Sequence, residues 1–299
     1  MAGYQILGLA LITVGDYPEG FSLLERGATL YGSEKHRLVP FQIASDPGVT
    51  MLGSWAWGLW HQGYPDRASK LAQEVRRYAR RQDAHPYHSL GLALHLLGMI
   101  AIASRRVSEA AELGNEAVAL GNAHGLATVS GCGLILQGWA RAQRGENGGA
   151  RMIRQGLAVA ELHSYRPIFL GMLAETLGLS GEIEEGLAVL AEAFELAEAS
   201  GARGNEAELD RLRGDLLSRL PAPNWSEIEV SYRTALEIAR KQGTRGFELR
   251  AATSLARLRR DQGRRAEARD LLAPIYGRFT EGFDTADLRE AKALLDQLA

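Results

Sequence analysis

A short turn recurs along this chain, and it constrains the fold more than any other feature of the sequence. In most copies the turn leads through an acidic residue to a small one, between two apolar stretches. That small-residue position recurs at Gly20, Ala68, Ala110, Ala150, Gly186, Ile228 and Ala268, where Ile228 marks an irregular sixth copy. Successive copies lie 36 to 48 residues apart. A period of this length is typical of helical repeat proteins.

The stretches on either side of each turn have the pattern of helices. Examples are residues 92–101 before one turn and residues 187–196 after another, where apolar residues are spaced to form a broad buried face. No stretch alternates apolar and polar residues as a strand does. Turn glycines supply the positive φ that ends the first helix, and acidic residues suit the start of the second. The sequence therefore predicts an all-α fold.

The residues around the turns resemble the tetratricopeptide repeat. The first copy matches at Tyr4, Leu7, Gly8, Leu11, Gly15, Gly20, Leu24 and Gly27, and the third at Leu97, Gly98, Ala101, Ala110, Gly114 and Ala117. The second and sixth copies match loosely, and the copies lie further apart than the roughly 34 residues of the standard repeat. We expect a degenerate array with longer helices.

We predict a right-handed α-solenoid of about seven tetratricopeptide-like antiparallel helix pairs plus a C-terminal capping helix, forming a single domain over residues 1–299. The predicted pairs cover residues 3–31, 47–81, 86–124, 126–163, 167–200, 204–242 and 245–277, and the cap covers residues 284–298. The cap carries charged residues along its length, as the polar end of a repeat array should.

A closer resemblance runs over nearly the whole chain. Its most specific stretches are residues 42–49, 55–66, 235–240, 248–258, 261–276 and 279–288. They resemble the C-terminal repeat region of bacterial predicted ATPases that are associated with adenylate/guanylate cyclases in signal transduction. In that family this region is the sensor or scaffold, and the chemistry lies upstream. The resemblance implies a bacterial signalling role and an ATPase or cyclase as partner.

Composition excludes several classes of function. The net charge of −2 gives no general attraction to nucleic acid or to an anionic membrane, so we expect neither as a partner. The apolar stretch of residues 4–14 is too short to span a bilayer. A single cysteine, Cys132, excludes an internal disulfide and favours a reducing, cytoplasmic location.

Motifs for catalysis and for cofactors are absent from the sequence. It contains no Gly-x-x-x-x-Gly-Lys-Ser/Thr phosphate loop, no His-Glu-x-x-His zinc motif and no Gly-x-Ser-x-Gly nucleophile turn. We therefore predict no enzymatic activity, no metal site and no cofactor. An enzyme with an unrecognised hydrolytic site remains a less favoured alternative.

The first helix of each pair lines the inner groove of a tetratricopeptide array, so partner-binding residues are expected there. Counting from each turn predicts a groove that changes from aromatic to charged along its length. The predicted residues are Trp57, Trp60, His61, His95, Met99, Trp139, Glu175, Arg211, Arg219, Arg250, Arg257 and Arg260. The alternative for the tryptophans is that they are simply core.

We interpret the chain as a non-catalytic protein–protein interaction or sensor module of a signalling ATPase/cyclase system, with a protein or peptide bound in the concave groove. The alternative is a small-ligand sensor that uses the Trp/His-lined part of the groove. Residues 4–14 carry no charge and are apolar on most sides, which predicts an interface with a second copy or with an upstream ATPase.

Overall fold

The computed structural model describes residues 2–30, 46–80 and 86–299, which form fifteen α-helices and contain no β-strand. The helices are α1 Ala2–Val14, α2 Tyr17–Thr29, α3 Pro47–His61, α4 Pro65–Ala79, α5 Pro86–Ala103, α6 Val107–His124, α7 Ala127–Gln143, α8 Gly149–Val159, α9 Arg166–Leu179, α10 Ile183–Ser200, α11 Glu206–Leu217, α12 Trp225–Gln242, α13 Arg245–Asp261, α14 Arg265–Tyr276 and α15 Ala286–Leu298. Seven consecutive pairs and a final helix confirm the predicted fold class. The predicted pairs and the stretches that carry the resemblance include residues 31, 42–45 and 81, which lie outside the described residues.

Most pairs turn at a residue with positive φ. Glycine takes this position in five pairs: Gly15, Gly63, Gly145, Gly181 and Gly263, with φ between 72° and 94°. In the third pair Arg105 takes it at φ 54°, a conformation that costs an L-residue about 1–2 kcal/mol. The irregular sixth pair uses a longer connection, and there the side chain of Asn224 accepts hydrogen bonds from the first backbone N–H groups of α12. Five of the turns thus use glycine as the sequence predicts.

Small residues let the two helices of a pair approach until their backbones touch. A Cβ added to Gly8 would lie 2.9 Å from the carbonyl oxygen of Gly20, and one added to Gly138 would lie 2.6 Å from that of Gly149. Such contacts are shorter than any side chain tolerates. The glycines inside these helices, unfavourable for helix formation by themselves, are therefore required by the packing.

Contacts divide the chain into two compact units. The first unit is drawn from residues 1–60 and 67–163, and within it α5 packs against α3 and α7 packs against α5. The Cδ1 atom of Leu96 on α5 lies 2.5 Å from the position of a Cβ on Gly53 of α3. Leu136 on α7 fills the space at Gly98 of α5 in the same way, at 2.4 Å. A leucine seated over a glycine is the repeated contact of this unit.

The second unit comprises residues 61–66 and 164–299. Its core joins α11 to α15 through buried aliphatic side chains, among them Leu255, Leu272 and Leu294. Helix α13 contacts α11, α14 and α15, so it lies at the centre of this part of the unit. Whether residues 1–299 behave as a single domain stays a prediction.

Helix α1 has one covered face and one exposed face. Leu9 and Ile12 pack on the small core of their own pair, around Tyr17, Phe21 and Leu24. Ile6, Leu7 and Val14 are exposed by 66%, 51% and 53%. The predicted self-association through residues 4–14 stays a prediction, and these exposed side chains are the ones that it concerns.

Among the described residues, no helix combines the length and the apolar character that crossing a bilayer demands.

Replacing Ala110 with tryptophan tests the packing of the pairs. Ala110 is fully buried in α6 at the small-residue position, and overpacking such a site costs about 1–3 kcal/mol or more. We expect Ala110→Trp to lower the melting temperature by several degrees in a circular dichroism melt. Ala123→Trp, on an exposed position of the same helix, is the matched control and should change it little. Equal melting temperatures for both variants would show that the assigned register is wrong.

Candidate functional site

Charged residues line one face of α11 and of α13 in the second unit. Glu208, Arg211 and Asp215 follow each other at i, i+3 and i+7 on α11, and Arg250 and Arg257 are seven residues apart on α13. Such spacings place side chains on the same side of a helix. Because α13 contacts both α11 and α15, charges of three helices can meet here.

Arg211 holds the charged residues of α11 together. Its Nη2 and Nε atoms donate to the two carboxylate oxygens of Glu208 at 2.8 and 2.9 Å, which makes the contact bidentate. Its Nη1 atom donates to Asp215 Oδ2. The other oxygen of Asp215 accepts a 2.8 Å hydrogen bond from the hydroxyl of Tyr232 on α12. Arg211 and Asp215 are therefore held in one orientation by several partners.

Arg250 connects the three helices. Its Nη1 atom donates to Glu208 Oε1 on α11 at 2.9 Å, and its Nε atom donates to Asp287 Oδ2 on α15 at 2.8 Å. The side chains of Glu208, Arg211, Arg250 and Asp287 are only 13–18% exposed. We call this set, together with Asp215, the ion-pair ladder. It crosses from α11 over α13 to α15.

More exposed contacts continue from the ladder along the same helices. Arg257 Nη2 donates to Glu290 Oε2 on α15 at 2.7 Å, and these side chains are 43% and 36% exposed. Arg260 Nη1 donates to Gln297 Oε1 at 2.7 Å. Arg219, two residues after the end of α11, donates to the carbonyl oxygen of Gly178 on α9 at 3.0 Å. These arginines have surface that a partner can reach.

Neighbouring charges keep Glu208 ionised. Burial by itself would raise the pKa of Glu208, but the positive charges and hydrogen bonds of Arg211 and Arg250 outweigh it and hold the pKa below its ordinary value. Burial, together with the negative charge of Asp215, raises the pKa of the Tyr232 phenol, which therefore stays protonated. The negative charge of Glu175 on α9 also favours the charged form of Arg211, so Glu175 lies near the α11 end of the ladder.

His61 lies against the ladder from the segment of residues 61–66, which belongs to the same unit. Its ring meets the ring of Phe247 edge to face, with centroids 4.8 Å apart. Burial and the positive charge of Arg250 lower its pKa to about 3, although the negative charge of Glu208 acts in the opposite direction. At neutral pH the imidazole is therefore uncharged.

Five of the predicted groove residues are buried rather than exposed. Trp60, His61, His95, Met99 and Trp139 each expose 4% or less of their surface. A side chain with so little exposed surface packs inside its unit, so we leave these five out of the proposed surface. The physical reason is that first helices are covered by neighbouring helices on more than one side. Trp57 is half-buried, with its ring 5.9 Å from that of Trp60 and nearly parallel to it.

Burial keeps two titratable side chains of the first unit, His95 and Cys132, uncharged. Burial lowers the pKa of His95 to about 4 and raises that of the Cys132 thiol to about 12, so both are neutral at pH 7. A protonated, buried thiol is neither a nucleophile nor a metal ligand. Within residues 2–30, 46–80 and 86–299, no three His, Cys, Asp or Glu side chains come together as a metal site would require.

Sequence reasoning missed several members of this site. Asp287 and Glu290 were assigned to the polar side of a capping helix, whereas they supply the carboxylates that pair with Arg250 and Arg257. Tyr232 comes from a second helix, where no groove residue was sought. One signal could have found the acids. The i, i+3 spacing of Asp287 and Glu290 on the helix after α13 complements the i, i+7 spacing of the two arginines.

The pH dependence of stability tests the environment of His61. Its pKa in the folded state is depressed, so its contribution to stability is complete above the unfolded value of about 6.5 and is lost as pH falls towards 3. Between pH 7 and pH 5 the free energy of unfolding should therefore fall by about 2 kcal/mol through this residue. His61→Phe should remove that part of the fall in urea titrations at the two pH values. His88→Phe, at an exposed position, is the control; an unchanged pH dependence in His61→Phe would contradict the assignment.

No protein-family model matches the sequence. An uncharacterised protein of Rhizobium meliloti (strain 1021) is 28% identical over 254 residues. The match covers 82% of this chain and 24% of that protein, so the chain spans about a quarter of the length of this relative.

Solved structures with the same fold belong to helical repeat proteins. A Rap protein complexed with competence and sporulation factor is 15% identical, with 99% of this chain and 79% of that chain covered and a TM-score of 0.61. The apo form of RapI is 10% identical, with 99% and 98% covered and a TM-score of 0.56. Yeast Tom70 is 12% identical, with 94% and 60% covered and a TM-score of 0.52. At these identities the likeness shows the fold alone, which is a tetratricopeptide-like helical repeat.

Proposed function

We propose that this chain is a protein-interaction module without catalysis of its own, which binds a peptide segment of a partner protein along the ion-pair ladder. The observation that carries the proposal is the ladder itself: charged side chains of three neighbouring helices meet on one surface and remain partly exposed. The surface comprises the ladder, the Arg257–Glu290 pair and the arginines at positions 219 and 260, with Glu175 beside them.

Stability alone does not account for charges at these positions. Removing two ions from water costs several kcal/mol, and apolar residues of similar volume are often as stabilising or more so. A repeat array could therefore fill the contacts between α11, α13 and α15 with leucine. Retaining five charged side chains there is explained if they serve recognition, and arginine is among the residues that most often anchor interfaces.

The chemistry of the surface indicates the kind of partner. The partner is expected to carry carboxylates, which would bind Arg257, Arg219 and Arg260. A guanidinium binds a carboxylate with two parallel hydrogen bonds. Glu290 and Asp215 can accept backbone N–H groups of an extended segment. Among proteins of this fold, a Rap protein has been solved in complex with competence and sporulation factor, which agrees with a binding role.

The aromatic part of the predicted groove supports a small-ligand sensor poorly. Such a sensor would use the tryptophans and histidines, and all of those proposed except Trp57 are buried. Trp57 stays a candidate contact at the edge of a binding surface, as a half-buried tryptophan is suited to an interface.

The finer proposal is that the partner belongs to a signalling ATPase/cyclase system. It is supported by the resemblance of residues 261–276 and 279–288 to that family. The Rhizobium relative, which is about four times longer than the matched stretch, has room for such domains. Sequencing the gene and its neighbouring genes tests this proposal. A phosphate loop or a cyclase domain is expected in one of them, and its absence from the gene and from its neighbours would contradict the proposal.

Peptide selection followed by variant binding tests the surface. Peptides enriched on the immobilised chain from a random display library should lose at least tenfold in affinity for Arg257→Ala, measured by fluorescence anisotropy. Arg213→Ala is the matched control, because Arg213 forms an ion pair of similar exposure with Glu227 towards α12, away from the ladder. Equal affinity for both variants, with unchanged melting temperatures, would show that binding occurs elsewhere.

A further inference from the structure

Helix α1 presents an apolar stripe that nothing in the described structure covers. Ile6, Leu7, Ala10 and Val14 lie on one side of the helix and are exposed. The helix carries no charged side chain in its first or last turn. Contiguous exposed apolar surface of this kind usually marks an interaction site.

Later pairs bury the residues that correspond to this stripe. Alignment on the small residue of each turn places Ile6, Leu96 and Leu136 fourteen residues before Gly20, Ala110 and Ala150. Leu96 and Leu136 are 3% and 1% exposed, against 66% for Ile6. Leu7 corresponds in the same way to Leu97, which is 3% exposed. The stripe is therefore the counterpart of an interface that already exists between successive pairs.

The covering group in that interface is the first helix of the preceding pair, at a glycine. Leu96 occupies the space over Gly53 of α3, and Leu136 occupies the space over Gly98 of α5. Any side chain at those glycines would collide with the leucine. An apolar residue at the position of Ile6 thus fits a helix that offers a glycine in its interior.

We propose that the stripe of α1 binds a further helix pair of the same repeat type, whose first helix carries a glycine that receives Ile6. The occupant is apolar along this contact, because α1 offers no charge to pair with. A second copy fits less well: its exposed α1 offers isoleucine and leucine at mid-helix, and its α15 contains no glycine and many charges. This interface is separate from the ion-pair ladder, so it does not depend on the proposed function.

A fusion that supplies such a pair from the chain itself tests the proposal. Residues 86–131 are placed directly before Ala2 of the full chain, which puts 38 positions between the added copy of Gly98 and Ile6, as between Gly98 and Leu136 in the protein. We expect the backbone amides of α1 to exchange hydrogen at least tenfold more slowly in the fusion than in the unfused chain.

Two variants identify the contact. Gly98→Leu in the added copy fills the receiving space and should abolish the extra protection of α1. Ile6→Asp should abolish it as well in the fusion, while leaving the melting temperature of the unfused chain nearly unchanged, because Ile6 is exposed there. The second variant decides the matter if the first fails to fold.

Two outcomes would overturn the proposal. One is exchange in α1 that the added pair leaves unchanged. The other is a concentration-dependent dimer of the unfused chain that protects α1 and is abolished by Ile6→Asp, which would identify a second copy as the occupant.

Discussion

Close approach between helices at glycine determines how the helices of this protein pack. Gly8 against Gly20 and Gly138 against Gly149 bring the two helices of a pair into backbone contact. Leu136 over Gly98 then brings successive pairs together. Because the helices lie so close together, the order of the pairs determines which side chains of first helices are neighbours. The ladder forms because Glu208, Arg250 and Asp287 occupy such neighbouring positions.

The ladder joins first helices through charged side chains, unlike the leucine–glycine contacts described above. Elsewhere a leucine in a glycine space joins two helices, and the contact is dry and apolar. Between α11, α13 and α15, ion pairs also hold the helices together. Because these charges lose water when they are buried, they add little to stability. Charges at a repeat interface are also directional, so they restrict which groups of a partner can replace or extend the existing hydrogen bonds. The more exposed pair beside the ladder, Arg257 with Glu290, is where such an exchange would begin.

Helices, turns and the number of pairs could be predicted from the sequence because they depend on local signals. A glycine such as Gly181 ends one helix, and an acidic residue begins the next.

The exposure of individual side chains could not be predicted as well. Trp139 and Met99 are on first helices, as groove residues should be, but helices packed on several sides bury them. Arg250 was predicted as a groove residue, whereas its partner Asp287 depends on how α15 packs, which no local pattern encodes. Arg105 shows the same limit at a turn, where the packing enforces a positive φ on a residue that disfavours it.

A double-mutant cycle on Glu208 and Arg250 measures whether the ladder couples α11 to α13. If the ladder joins α11 to α13, the losses in unfolding free energy caused by Glu208→Gln and Arg250→Met will not add. Residues that share a buried ion pair typically show an interaction energy of about 0.5–3 kcal/mol in such a cycle. We expect an interaction energy in that range from urea denaturation at pH 7, and additivity within about 0.3 kcal/mol would contradict a ladder that joins the two helices.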